Sequence, residues 1–357
     1  ASHTDSPTFK LKANATGDGV GIYTKLNVEN YGGMIYDSWF DRPLSVAGRV
    51  IVREENRLRA VPVVVDRDLV LIPHVAIHQM RNINSGVTYN PATDLCPLFG
   101  EKDAKLTPYL AQAAGVAEEG IVATDLYLYN RVPGTIWGDG DAFFSSARID
   151  NLQCAYATLR GFLAGADTTS DRGIAVYSSF DNEETGSATR QGAGSPFLQD
   201  TLQAICDALG LRLPTMLASS FMVSADNGHA RHPNHPEMSD GANCPNLNGG
   251  IVIKANAAQK YTTDGVSAAI FGEICRAANV PTQVFHNRSD MPGGSTLGSI
   301  SNTKVALHTV DIGLPQLAMH SAYETAGTKD TAYLIDAMQK FYETSFHAVG
   351  DDVIEME

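Results

Sequence analysis

The sequence predicts an α/β fold, a mixed sheet covered by helices, with a β-rich segment inserted at residues 14–140. Three observations predict it. Short apolar, β-branched runs alternate with helix-period segments through the second half of the chain. Residues 14–140 instead carry many short strand candidates and turn signals. The polar residues suited to chemistry cluster at the predicted strand ends, nearly all outside that insertion.

Taken in order, ATGDGVG, NYGGM and FDRPLSVAGRVIVRE give the first part its β character. The catalytic part is then expected at 1–13 and 141–357. In IDNLQCAYATLRGFLAGA the apolar residues Leu152, Tyr156, Leu159 and Leu163 recur at helical spacing, and Asp150 or Asn151 is placed to cap the start. GIAVYSSF reads as a buried strand. PFLQDTLQAICDALG puts Leu198, Leu202, Ile205 and Leu209 on one helical face and stops at Gly210. SFMVSAD, GGIVIKAN and KVALHTVDIG read as buried strands. DTAYLIDAMQKFYETSF gives a last helix through Leu334, Met338 and Phe341.

The 357 residues suffice for one large domain or two smaller ones. A net charge of −14 without a basic cluster argues against nucleic acid as the partner. No apolar run reaches the length of a bilayer span, so no membrane partner is expected. Five scattered cysteines without a CxxC suit a reducing, cytoplasmic setting better than a disulfide framework or a thiolate zinc site.

FDNEETGS sets Asp181, Glu183 and Glu184 at the end of a predicted strand. Adjacent carboxylates that are partly buried need a cation beside them. His3 and Asp5 share a face of a short extended segment; Asp150 starts a helix; Asp226 and His320 follow strands. Imidazole and carboxylate without thiolate suit zinc, manganese or cobalt. His3, Asp150, Glu184, Asp226 and His320 supply two imidazoles and three carboxylates, an inventory for two ions sharing a bridging aspartate. Glu183 is then left as a general base. Each has an ordinary alternative: a lone aspartate at a helix start is most often an N-cap, and a histidine such as His320 is more often hydrogen-bonded core. HARHPNHPE mimics a metal cluster, but Pro233 and Pro236 forbid a regular helix, so His232 and His235 read as structural. The Gly-rich MPGGSTLGS lacks the lysine of a P-loop and reads as backbone lining near the site.

HTDSP, YGGMIYDSWFDRPLSVAGRV, IPHVAIHQMRNIN, ARIDNL, FDNEETGS, SADNGHARHPN, IKANAAQKY and DIGLPQLAMHS closely resemble segments of the aspartyl aminopeptidase family of dinuclear zinc peptidases, in the same order. The resemblance implies an exopeptidase that removes an N-terminal Asp or Glu from peptides. It implies a catalytic α/β domain of zinc-peptidase type with an inserted dimerisation domain, assembled as a tetrahedral dodecamer built from dimers. Position by position, Asp150 matches the bridging ligand, His3 and Asp226 complete one metal site, Glu184 and His320 the other, and Glu183 matches the base. His78 in IPHVAIHQ matches a substrate contact lent to a neighbouring subunit. His229, Lys254 and Tyr261 match further substrate-binding positions. Lys254 supplies the local positive charge that an acidic side chain needs in an acidic protein. Asp226 and Glu183 are candidates for the substrate's free α-amine.

Members of that family carry a segment before HTDSP, whereas only Ala1 and Ser2 precede His3 here. The chain therefore reads as a fragment or as lacking its start, with His3 expected on a frayed terminus. Two other functions fit the same residues: a related dinuclear aminopeptidase or deacylase with another side-chain preference, and a non-catalytic assembly protein.

Overall fold

The structure, a computed structural model, describes residues 1–168, 173–350 and 353–356. It is a mixed α/β fold whose contacts divide into two compact units. One comprises Ala1–Ser6, Gly134–Met319 and Glu324–Glu357; the other comprises Pro7–Pro133 and His320–Tyr323.

In the first unit a four-stranded sheet runs Phe221–Ala225, His308–Gly313, Ile251–Lys254, Thr282–Phe285. The outer pairs are parallel and the central pair is antiparallel. Ile251–Lys254 is buried throughout and Phe221–Ala225 and His308–Gly313 along most of their length, whereas the edge strand Thr282–Phe285 exposes Val284 and buries only Phe285. Two of them continue past this sheet. Phe221–Ala225 leads through Asp226 into Gly228–His229, and His308–Gly313 leads into Pro315–Leu317. The continuations pair again, in a five-stranded sheet with Glu324–Gly327, Phe143–Ser146 and Thr135–Trp137. Asp226 thus sits where the chain changes sheets, a place where side chains can turn toward a ligand.

The first residues are not frayed. Ser2–His3 pairs in parallel with Ser179–Phe180. Ala1 donates to Val223 O at 2.6 Å, and Ala225 N donates to Ala1 O at 2.8 Å. His3 is buried because backbone bonds hold it from both sides. The neighbouring GIAVYSSF departs from the buried strand expected of it. Only Ser179 and Phe180 are strand, and Ile174 and Val176 are exposed, since Ser2 and His3 alone supply a ladder partner.

The helix Ile149–Gly165 also turns a face other than the expected one inward. Leu152, Tyr156, Leu159 and Leu163 are exposed, and Cys154, Ala155, Ala157, Thr158, Gly161 and Gly165 are buried. The cause is the close approach of the helix Asp330–Glu343. A Cβ on Gly161 would lie 2.4 Å from the Cβ of Met338, and one on Gly165 would lie 2.5 Å from Gln339 O. Small residues buy that approach at the expense of the larger apolar ones. On Asp330–Glu343 the expected Leu334 and Met338 are core. In Phe197–Leu209, Leu198 is buried, Leu209 is exposed, and Gly210 ends the helix in the left-handed conformation.

The second unit is a six-stranded sheet in the order Arg57–Val64, Leu44–Glu54, Ile121–Asn130, Thr8–Gly19, Tyr23–Tyr31, Leu98–Glu101. Its core includes Phe9, Leu26, Leu44, Val46 and Leu126. Thr8–Gly19 is one unbroken strand, and Thr135–Trp137 belongs to the other unit's sheet. The division therefore falls at Pro7 and Pro133 rather than at 14 and 140.

Candidate metal centre

His3 is 1 % exposed, and its ring is held at both nitrogens. Nδ1 lies 3.1 Å from Asp5 O and 3.2 Å from Asp5 Oδ1. Nε2 faces Asp226 Oδ1 at 3.4 Å and Asp150 Oδ1 at 3.6 Å. A carboxylate partner on one imidazole nitrogen fixes the ring and leaves the other for a ligand.

Asp150 heads the helix Ile149–Gly165 but does not cap it. Arg148 is the N-cap, without a side-chain cap bond, and Asp150 itself is non-helical (φ −79°, ψ 110°). That extended backbone turns its carboxylate toward His3. Ser6 Oγ donates to Asp150 O at 2.7 Å.

Glu183 and Glu184 open the 3₁₀ turn Glu183–Thr185. Left-handed Asn182 and Gly186 bracket it, so the strand before it ends sharply. Asp5 fixes this turn: Oδ1 accepts from Glu183 N at 3.1 Å and Oδ2 from Glu184 N at 3.2 Å. One buried carboxylate thus orients both His3 and the paired glutamates. The sequence placed Asp5 beside His3 but gave it no role; its signal was the HxD spacing.

His3, Asp150 and Glu184 each offer a donor atom, all within 4.8 Å of one another. Asp226 adjoins this group through His3. The charges conflict without a cation. Burial pushes the Glu183 carboxyl up to about 7, and the Asp226 and Asp150 charges add to the rise. Burial and then Asp150 push Glu184 further up. Burial alone would raise Asp226 too, but Lys254 and His3 hold it below the usual carboxylate range. His3 goes the other way: burial disfavours its charge, yet Asp226 and Asp5 raise its pKa well above normal. Hard oxygen donors with one imidazole, buried and short of positive charge, fit a divalent cation such as zinc.

Lys254 ends its strand 2 % exposed. Its Nζ donates to Asn227 O at 2.8 Å, lies 4.0 Å from Asp226 Oδ2, and sits over the Tyr261 ring at 5.5 Å. His229 lines a cavity of about 310 Å³ with His232, His286 and Arg288. Met291 and Pro292 of the Gly-rich loop line the same cavity. His320 and His78 belong to the second unit. There His320 adopts φ 66° and accepts a bond from Ile35 N at 3.0 Å, and His78 lies on an exposed turn.

The family model for the Aminopeptidase I zinc metalloproteases (M18) matches residues 1–342. The chain belongs to the M18 aminopeptidase family. It is accordingly a metal-dependent aminopeptidase. It is 44 % identical over 351 residues to a probable M18 family aminopeptidase 2 of Clostridium acetobutylicum, covering 95 % of this chain and 80 % of the relative. Among solved structures it resembles that of the Ape4 and Nbr1 complex, with a TM-score of 0.90 and 35 % identity over 96 % of this chain and 70 % of the other. It also resembles the mApe1 dodecamer of S. cerevisiae, with a TM-score of 0.79 and 26 % identity over 96 % of this chain and 78 % of the other. Within this M18 chain, the buried group around His3 is the cluster whose donor chemistry suits the family's zinc. Among the described residues no helix is long and apolar enough to cross a membrane.

Proposed function

We propose that this chain hydrolyses an N-terminal Asp or Glu from peptides, with Glu183 as general base and two divalent ions, zinc foremost. The observation that carries this reading is the convergence of His3, Asp150, Glu184 and Asp226 in one buried group. His3 and Asp226 would hold one ion and Glu184 and His320 the other, with Asp150 shared. Bound there, the ions would polarise the scissile carbonyl and acidify a water. Glu183 takes the proton of the attacking water and passes it to the leaving amine. Asp5 keeps Glu183 in place through its backbone N–H. Asp226 and Glu183 are the carboxylates available to the substrate's α-amine.

Acidic preference would rest on Lys254, which has the Tyr261 ring beneath its ammonium, together with His229 and Tyr261 as further substrate contacts. His78 would reach the site of a neighbouring subunit, in keeping with a dodecamer built from dimers in which the β-rich segment, expected from the sequence at 14–140, mediates pairing. The five free cysteines agree with a cytoplasmic setting. One observation favours a different side-chain preference: Lys254 is nearly fully buried and already donates to Asn227 O.

A panel of aminoacyl-peptides with purified, zinc-loaded protein separates these readings. Release of Asp and Glu far ahead of Leu and Ala is the expected result. Preference for neutral residues would refute the acidic specificity. Absence of any turnover, with less than one ion per chain, would instead support a non-catalytic assembly protein.

A further inference from the structure

Glu324 is a further buried carboxylate beside the cluster, 1 % exposed on the strand Glu324–Gly327. Its Oε2 accepts the backbone N–H of Asp150 at 3.0 Å. Its Oε1 accepts from Gln316 Nε2 at 3.4 Å. Gln316 Oε1 in turn accepts from Asn227 Nδ2 at 2.8 Å. Asn227 N donates to Asn151 Oδ1 at 3.3 Å, and Asn151 Nδ2 donates to Ala225 O at 2.9 Å. The path starts at Asp150 and returns to Asn151, its chain neighbour. On the way it grips Ala225 and Asn227, the residues on either side of Asp226. All these side chains are buried.

We infer that Glu324 is a positioning residue that fixes Asp150 relative to Asp226, and so sets the spacing into which a cation binds. The inference rests on the metal-centre reading above. The circuit has one donor polarity. Glu324 must accept at both oxygens, because Asp150 offers only an N–H and Gln316 has committed its carbonyl oxygen to Asn227. A glutamine at 324 has one acceptor and one donor, so it must lose one of the two bonds at almost unchanged volume. A lost bond at a buried group leaves the backbone of Asp150 free to shift, and misplacement of ligands lowers metal affinity.

The test is zinc affinity, measured by competition with a chromophoric chelator, for wild type, Glu324→Gln and Gln316→Met. Wild type should bind. Glu324→Gln should bind about 10- to 100-fold more weakly, the usual range for outer-shell changes. Gln316→Met keeps the Asp150 bond and should lose less. It also serves as the test if Glu324→Gln fails to fold. Thermal unfolding of the zinc-free proteins is the control, because a merely structural role lowers that temperature and leaves the affinity of the folded protein unchanged. Wild-type affinity in the folded variants overturns the inference. Failure of wild type itself to bind zinc overturns the metal-centre reading beneath it.

Discussion

His3 and Asp226 meet at 3.4 Å, Nε2 to Oδ1, both buried, although they lie far apart in sequence. The contact exists because Ala1–His3 is laid against the edge of Phe221–Ala225, one residue before Asp226.

A cation held there should stabilise the fold. Zinc at 100 times its dissociation constant should add about 2.7 kcal/mol to the unfolding free energy. His3→Ala removes the imidazole from both aspartates and should abolish most of that increment. Urea unfolding with and without zinc measures it. An increment equal to the wild type's would show that the ion binds elsewhere.

Glu183 lies beside the cluster, and Asp5 holds its backbone. Glu183→Gln should retain bound zinc and lose turnover by roughly 10²- to 10⁴-fold, the ordinary worth of a general base. Steady-state kinetics with metal analysis on the same sample decides this. Near-normal turnover would remove Glu183 from the mechanism.

Gly161 faces Met338 with no room for a methyl group. Gly161→Ala should destabilise the chain by about 1–3 kcal/mol through overpacking, despite the better helix propensity of alanine. Leu163→Ser, on the exposed face of the same helix, should change stability by no more than about 0.5 kcal/mol. Chemical denaturation of both variants checks the assignment of faces. The opposite ranking would mean that the helix is rotated.

Asp330 is fully buried, and burial raises its carboxyl from 3.8 to about 6 against the pull of the Gly250 and Asn248 N–H groups. A raised folded pKa means that the folded state binds the proton more tightly. The group's stabilisation is therefore complete below about pH 4 and is lost as pH rises through about 6, a span worth at most about 3 kcal/mol. Asp330→Asn should flatten this part of the pH dependence. Denaturation of zinc-free wild type and variant at pH 5 and pH 7.5 gives the comparison. Equal pH differences in the two proteins would be the contrary result.

The residue types of the site are legible in the sequence because catalysis draws on few side chains and these stand out at strand ends. Glu184 and Asp226 appear there as polar residues after apolar runs, Asp150 at a helix start and His3 on a short extended segment, and the structure brings these four side chains close together. Of the strand runs of the second half, Phe221–Ala225, Ile251–Lys254 and His308–Gly313 are legible because burial leaves mostly apolar, β-branched residues, whereas GIAVYSSF has that composition with strand only at Ser179–Phe180. The inward face of Ile149–Gly165 was not legible. Periodicity reports where the large apolar residues lie, whereas the neighbouring helix selected the glycines and Cys154. The orienting roles of Asp5 and Glu324 were hidden, although the HxD spacing set Asp5 beside His3. Each acts by accepting backbone N–H groups from distant segments, and nothing in local spacing marks a carboxylate for that task.

The sequence by itself determined the fold class, the donor chemistry and the membership of the M18 family, because hydrophobic pattern, residue type and motif are local properties. Only the tertiary structure decided which helix face is buried, how Ala1–His3 is anchored and which buried carboxylates orient the others. Those depend on the distance between segments far apart in the chain, and packing alone sets that distance.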